Sequence, residues 1–339
     1  MEDVTPRPMV GGERQIFAPV NMCLADGRLN PEAVGWSRTP LHSANLKGWG
    51  RNKRFEYWCI IHPDLIITAN ISHHDYRANI ASTFIDRASH AKIAYRQNVW
   101  LPGRNIMADP TSGSRMAGAG QDIEVVLEPN AKGTRIIVTS PRVQLDLQAH
   151  DAPGRESMGV LVPWDNKRFQ YTRKDNCIPV EGSLVTDDQK RDIPLGVATA
   201  IHDHGRGRWP YDTLWNWAAG SGTTDGVEIG LNFGGKWTEG TPSTENSLRI
   251  DGRLHKISQE LTWTYDRTDW MRPWTLTGDR VRLTFTPEHY HHHMFDRIIV
   301  SARGDQCFGR FDGEVITDEG RTVAVRDVVG LIEEVHRKW

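Results

Sequence analysis

Titratable and amide side chains concentrate in one stretch of the chain, between His202 and Arg249. The stretch opens with His202-Asp203-His204, ends shortly after Thr244-Glu245-Asn246, and carries many glycines. An imidazole gives and takes protons near neutral pH, and a desolvated carboxyl group can act as an acid. We therefore predict Asp203, His204 and Glu245 as catalytic residues of a small-molecule site. The alternative is that these side chains only hydrogen-bond a loop.

Flat aromatic groups accompany these residues. Trp215-Asn216-Trp217 would place two indoles on one face of a strand and an amide on the other. We predict that Trp215, Asn216 and Trp217 bind substrate, and that Asn232 and Asn246, on glycine-flanked segments, orient it. The competing interpretation is that the indoles are barrel core and the asparagines ordinary turn residues.

A second cluster, His73-His74-Asp75-Tyr76, follows the apolar run Leu65-Ile66-Ile67. If two halves of the protein face one another, this cluster meets the first across a shared cavity. Asp75 is then a proton acceptor, and His74 and Tyr76 bind substrate. The alternative is a hairpin capped by the imidazole and the carboxylate, with Tyr76 packed inward.

Metal and nucleophile chemistry are less well supported by the sequence. His291 and His293, in the run His289–His293, share a strand face, but no carboxylate or cysteine completes a metal-ligand spacing. Ser221 lies between two glycines without the strand-to-helix motif of a serine hydrolase. We predict no metal and no cofactor.

Composition limits the partners. The 41 Lys and Arg residues nearly balance the 43 Asp and Glu residues and are interspersed with them, which argues against a nucleic-acid partner. The acidic start of the chain does not resemble a signal peptide, and no run of about 18 apolar residues occurs, so we expect no stable membrane insertion and a cytoplasmic location. The four cysteines lie far apart and are expected to be reduced and structural.

The periodicity is mostly two, as in half-buried strands. Apolar and polar residues alternate in Val143–Leu147, Glu260–Tyr265 and Val281–Thr286. Pairs such as Asp251-Gly252 and Asp312-Gly313 supply the positive φ that tight hairpins need. The 13 tryptophans and 31 glycines suit many strands joined by tight turns. We predict an all-β, antiparallel protein.

The length of 339 residues exceeds what a single core usually supports, roughly 250 to 300 residues, so two units are expected. A short internal echo, Asn52–Tyr57 against Asn166–Tyr171, suits a duplicated half-barrel or a coincidence. We place the division at residues 1–179 and 180–339. The irregular segment through Pro40 is expected to wrap the surface of the first unit.

Several motifs together resemble the family called domain of unknown function 2804, from about Gly48 to Trp339. They are Phe55–Trp58, Phe169–Lys174, Pro179–Gly182, Trp215–Ala218, Gly230–Gly235, Thr244–Asn246 and Phe308–Phe311. That family is similar to the double-lipocalin group, which includes carotenoid hydratases and tocopherol cyclases. The resemblance implies two consecutive lipocalin-like antiparallel β-barrels or half-barrels, with an apolar cavity at or between them. It carries no catalytic residue over to this chain.

These observations favour a cofactor-independent acid/base enzyme, a hydratase, dehydratase, isomerase or cyclase of lyase or isomerase type. Its partner would be an apolar or partly oxygenated small molecule such as a terpenoid or lipid. One alternative is a non-catalytic carrier of a hydrophobic ligand, which would tolerate loss of the titratable groups. The other is a glycan-active protein, which needs two carboxyl groups about 5 to 9.5 Å apart along an open groove.

Overall fold

Strands make up nearly all of the regular structure. The computed structural model describes the backbone of residues 2–4 and residues 12–101, 103, 107, 113–297 and 300–339. Strands β1 to β15 are, in chain order, Glu2–Val4, Val20–Asn21, Gly35–Ser37, His42–Ser43, Asn52–Ile61, Leu65–His74, Arg77–Asp86, Lys92–Trp100, Met116–Ala119, Glu124–Asn130, Gly133–Thr139, Val143–His150, Met158–Pro163, Phe169–Thr186 and Gln189–Arg208. Strands β16 to β24 are Asp212–Thr224, Val227–Gly235, Ser247–Ile250, Arg253–Lys256, Thr262–Tyr265, Trp274–Gly278, Val281–Arg297, Val300–Ile316 and Thr322–Lys338. One turn of 3-10 helix, Pro31–Ala33, interrupts them.

The alternation of apolar and polar residues in the sequence corresponds to alternating burial in the structure. In β12 Leu145 and Leu147 are buried while Gln144 and Asp146 are exposed, as expected for a strand with one face on a core. The all-β prediction is confirmed. Within the described residues, no helix is long and apolar enough to cross a membrane.

Of the two turns predicted at Asp-Gly pairs, one is present in the structure. Asp251 and Gly252 have φ of 50° and 81° and join β18 to β19, as the pair predicts. The prediction of a turn at Asp312-Gly313 is wrong, because the pair lies inside β23. There it forms an irregularity in the pairing with β24.

Two curled half-barrel sheets form the molecule. The first has 12 strands, in the order β8-β7-β6-β5-β15-β14-β12-β11-β10-β9 with β13 and β3 attached to β14. The second has 10 strands, in the order β1-β20-β21-β22-β23-β24-β16-β17-β18-β19. The chain therefore changes sheet after Arg208 and not at residue 180, because β15 continues the first sheet between β14 and β5.

The echoed segments do not occupy equivalent places in the two sheets. Asn52 at the start of β5 and Phe169 at the start of β14 both pair with Arg208 of β15. The two segments therefore flank the same strand of the first sheet. The echo consequently marks no duplication of the two halves.

Each sheet curls around its own hydrophobic core, and a third core joins them. In the joining core, Cys59 and Ile201 of the first sheet pack with Phe308 and Leu331 of the second. The irregular N-terminal segment packs on the first sheet, where β3 pairs with β13. All four cysteines are buried.

A bulge in β14 locks the two sheets together. Asn176 donates its side-chain amide to the carbonyl oxygens of Leu231 at 2.9 Å and Gly220 at 3.3 Å, both in the second sheet. The backbone amide of Cys177 donates to Ser221 Oγ at 2.8 Å. Ser221 is thus part of this junction, and Lys174 lies only two residues before the bulge.

Candidate active site

A cavity of about 140 Å³ lies between the two sheets. Its lining comes from β5, β6, β7, β8, β14 and β15 of the first sheet and from β16, β22, β23 and β24 of the second. Trp209, Trp237 and Glu245, from segments between strands, complete it. Because a strand sends successive side chains to opposite faces, each of these strands can serve its own core and the cavity at once.

Strand β15 separates the predicted acid/base residues. Asp203 faces the cavity, whereas His202 and His204 lie on the opposite face, with ring nitrogens 2.7 and 2.6 Å from the Glu56 carboxyl oxygens. Burial and the nearby Arg206 lower the pKa of His204 to about 3. His204 therefore lies apart from Asp203, because adjacent residues of a strand point in opposite directions.

Lys174 stands between two carboxyl groups. Its Nζ is 2.8 Å from Oδ2 of Asp203 and 3.1 Å from Oε2 of Glu245, and all three residues are buried. Burial raises the pKa of Glu245; the Lys174 ammonium opposes that rise, and the Asp203 carboxylate adds to it. Asp203 also accepts a hydrogen bond from the Thr172 hydroxyl at 3.0 Å. Two carboxyl groups in different surroundings thus share one cation.

Three hydrogen bonds position Glu245 and the side chains around it. The indole of Trp237 donates to Oε1 of Glu245 at 2.5 Å. Asn232 accepts a hydrogen bond from the Trp217 indole at 2.9 Å and donates one to the backbone carbonyl of Glu245 at 2.5 Å. Asn232 therefore positions both a cavity wall and the segment that carries Glu245.

A buried lysine lies among aromatic rings at the cavity wall. The Nζ of Lys53 is 3.4 Å from the ring centre of Trp209, 4.7 Å from that of Trp339 and 5.1 Å from that of Trp215. Burial and the charge of Arg337 lower the pKa of Lys53 well below its usual value. Such ring faces stabilise a cation electrostatically, which counteracts the cost of burial.

Glu333 of β24 also faces the cavity, and the sequence analysis missed it. It accepts hydrogen bonds from the Trp215 indole at 3.0 Å and from the Gln306 amide at 2.8 Å. Burial raises its pKa. A signal exists in the sequence, because Glu333 replaces an apolar residue in the alternating series that begins at Leu331.

The second predicted cluster lies outside the cavity. Asp75 sits in the turn between β6 and β7, where it accepts hydrogen bonds from the backbone amides of Gly50 and Asn52 and pairs with Arg54 at 3.0 Å. This is the capped-hairpin alternative, and it leaves Asp75 no place as proton acceptor in the cavity.

His74 and Tyr76 border a smaller neighbouring space with Trp339. Lys53 and Trp209 line both this space and the main cavity and so stand between them. His74 and Tyr76 are thus separated from Trp217, which lines the main cavity.

Asn216, predicted to bind substrate, and Asn246, predicted to orient it, hydrogen-bond to other parts of the protein. Asn216 is fully buried on the face opposite Trp217 and donates to the Glu333 carbonyl at 3.1 Å. Asn246 accepts from the Gly234 amide at 2.8 Å and donates to the Gln259 carbonyl at 2.7 Å. Of the predicted residues, Asp203, Glu245, Trp215 and Trp217 are those that share the cavity.

The histidine-rich strand lies at the cavity as well. His291 and His293 of β22 contribute to its lining. In the part of the chain that the structure describes, no group of three His, Cys, Asp or Glu side chains is arranged to hold a metal ion. The neighbours of these imidazoles are cations, and burial together with the charges of Lys92 and Arg96 lowers the pKa of His291.

Comparison with known proteins gives a family and a fold. The model of the domain of unknown function DUF2804 matches residues 13–339. A candidate AttH protein from Nitrosomonas europaea aligns with a TM-score of 0.50 at 12% identity, over 85% of this chain and 92% of that chain. Kievitone hydratase from Nectria haematococca aligns with a TM-score of 0.49 at 11% identity, over 86% and 89%. Among curated proteins none matches the sequence. The resemblance and the double-lipocalin-like fold are confirmed.

Proposed function

The chain belongs to the DUF2804 family, and we propose that it is an acid/base enzyme that moves a proton on a partly oxygenated small molecule held between its two sheets. The observation that carries the proposal is the buried Lys174, whose ammonium bridges Asp203 and Glu245 at the cavity wall. Pairs of titratable groups in unequal surroundings are a recurring arrangement for general acid and base.

The two carboxyl groups have different tasks in this proposal. Glu245, whose pKa is raised by burial, delivers a proton to the substrate. Asp203, held by Thr172 and Lys174, accepts a proton or polarises a water. Lys174 keeps the pair from carrying two uncompensated charges in a buried place. Hydration, dehydration, isomerisation and cyclisation all fit this division.

The opposite wall favours an oxygenated substrate over a hydrocarbon. Thr68, Asn70 and Ser72 of β6 line the cavity, and the buried side-chain oxygen of Asn70 has no hydrogen-bond partner within the described part of the chain. A buried polar group without a partner is costly, and a bound hydroxyl or amide would satisfy it. Trp217 supplies a flat apolar surface for the rest of the ligand.

The test is incorporation of solvent deuterium. The purified protein is incubated in D2O with 2-cyclohexenone, benzylideneacetone or linalool, and the products are followed by mass spectrometry. We expect wild-type-dependent deuterium uptake, lowered about 100-fold or more in Glu245→Gln and Asp203→Asn, since a general acid or base contributes about 10²- to 10⁴-fold. Glu314→Gln, at a surface carboxylate that pairs with Arg282, is the matched control and should leave the uptake unchanged.

The carrier alternative predicts a different result. A carrier would retain one of these probes without deuterium uptake, and its binding would survive Glu245→Gln. Absence of uptake from all three probes would overturn the enzyme proposal for this substrate class. The glycan alternative fits less well, because the cavity is about the size that holds a single ring, near 150 Å³.

A further inference from the structure

Two of the arginines that line the cavity form no ion pair with a carboxylate of the described residues. Arg96 of β8 and Arg337 of β24 both line it, and within the described ranges neither forms an ion pair. Arg77 adds a third guanidinium nearby, since its charge lowers the pKa of Arg337 together with that of Arg96. Bringing these positive charges together costs electrostatic free energy, and a bound anion would offset that cost.

Unused hydrogen-bond donors lie at the same place. Among the residues that the structure describes, the buried Nε of Arg337 has no hydrogen-bond partner, and neither do the two ring nitrogens of His293. The His293 ring lies across its strand partner Gly304, where a Cβ would come within 1.9 Å of the ring. The ring can take this position only because residue 304 has no side chain. The donors are thus placed by the fold and left open to the cavity.

The imidazoles contribute hydrogen bonds and not charge. Burial and the neighbouring cations lower the pKa of His291 to about 4 and that of His293 to about 2. Both rings are therefore neutral at pH 7, and each carries one N–H. Arg337, with its pKa lowered to about 9 by burial, remains charged. The outer end combines guanidinium charge with neutral donors.

Glu333 is the acidic side chain that opposes this charge. It stabilises the Arg337 cation, but its carboxyl group is already hydrogen-bonded to Trp215 and Gln306. Burial also raises its pKa, so its charged form is less favourable than that of an exposed carboxylate.

We propose that this outer end binds the anionic group of a small organic acid, a carboxylate or a phosphate monoester, through Arg96, Arg337 and His293. The body of the ligand, about one ring in size, then extends toward Trp217 and the Lys174–Glu245 pair. Planar guanidinium groups match both anions geometrically. The inference rests on the proposed function in that it assigns the anion to the substrate of the same cavity.

Calorimetric titration with benzoate, phenyl phosphate and benzamide tests the inference on the full-length protein. We expect at least one of the two anions to bind ten-fold or more tightly than benzamide, the uncharged analogue of benzoate. Raising NaCl from 50 to 500 mM should weaken the binding of that anion several-fold and leave benzamide unchanged. Stronger binding of benzoate assigns a carboxylate ligand, and stronger binding of phenyl phosphate assigns a phosphate ester.

Variants locate the binding. Arg337→Gln should lower the affinity for the preferred anion ten-fold or more, with little effect on benzamide. Arg282→Gln, at an exposed arginine remote from the cavity, is the matched control. Benzamide binding as tightly as both anions, or an Arg337→Gln affinity equal to that of the wild type, would overturn the inference.

The outcome is separable from that of the proposed function. Glu245→Gln should keep its affinity for the anion, because Glu245 lies at the other end of the ligand. Anion binding without deuterium uptake leaves this inference standing and the enzyme proposal refuted. Deuterium uptake with no preference for anions refutes this inference and leaves the enzyme proposal standing.

Discussion

Lys174 and Glu245 belong to different sheets, yet their Nζ and Oε2 atoms lie 3.1 Å apart in a buried place. Lys174 is on β14 of the first sheet, and Glu245 precedes β18 of the second. The charge arrangement of the cavity therefore depends on how the sheets dock. Stability and chemistry are coupled at this pair.

Replacing Lys174 by Met should destabilise the protein by about 3 to 5 kcal/mol, because two buried carboxyl groups lose their shared cation. The loss should be larger at pH 8 than at pH 5, since protonation relieves carboxylate repulsion at the lower pH. Urea unfolding at both pH values measures it. Lys190→Met, at an exposed lysine paired with Asp192, is the control. Equal losses for the two variants would contradict the coupling.

Part of this site follows from the sequence. Asp203, Glu245, Trp215 and Trp217 lie in the polar, aromatic and glycine-rich stretch that the composition singled out, and all four line the cavity. Strand alternation explains why they meet, and it also explains why His204 does not join them. The sequence pattern therefore predicts site residues best in strands whose two faces carry chemically different side chains.

The remainder depends on contacts between distant strands. Three basic residues line the cavity from strands that also carry other basic residues, namely Lys53, Lys174 and Arg337. Only the docking of the two sheets decides which basic residue of each strand faces the cavity. Asp75 lies outside the cavity for a local reason, because a turn carboxylate close to backbone amides accepts hydrogen bonds from them. Neither outcome is specified by spacing along the chain.

Asn232→Ala should lower the unfolding free energy by about 2 to 4 kcal/mol, because the Trp217 indole and the Glu245 carbonyl both lose a buried partner. The same change removes the hydrogen bond that holds the Trp217 indole at the cavity wall, so the affinity for benzamide should fall as well. Urea unfolding and calorimetry give the two quantities. Asn166→Ala, at an exposed asparagine, should change neither. Full stability in Asn232→Ala would show that this amide does not hold the segment.

Glu260 makes stability depend on pH. Burial raises its pKa from 4.5 to about 7, opposed by a hydrogen bond from the Thr238 hydroxyl at 2.7 Å. Because the folded pKa lies above the unfolded one, the stabilising contribution is complete below about pH 4.5 and is lost as the pH rises through 7.

Glu260→Gln should therefore become more stable relative to the wild type by about 3 kcal/mol between pH 5 and pH 8. Unfolding free energies at four pH values in this range measure the difference, in which other titrating groups cancel. Glu314→Gln serves as the surface control, with a difference that stays flat. A flat difference for Glu260→Gln would show that this carboxyl group is not shifted.

Gly230 tests how the β14 bulge holds the sheets. A Cβ at this position would lie 2.8 Å from the Cβ of Asn176, which is fixed to the backbone and cannot swing away. Gly230→Ala should push the bulge from β17 and cost about 1 to 3 kcal/mol, as overpacking usually does. Because Lys174 precedes the bulge by two residues, binding of benzoate and benzamide should weaken together.

Gly12→Ala, where a Cβ meets nothing within 4 Å, is the control. Wild-type stability with unchanged binding in Gly230→Ala would mean that the bulge yields freely and that the cavity does not depend on it.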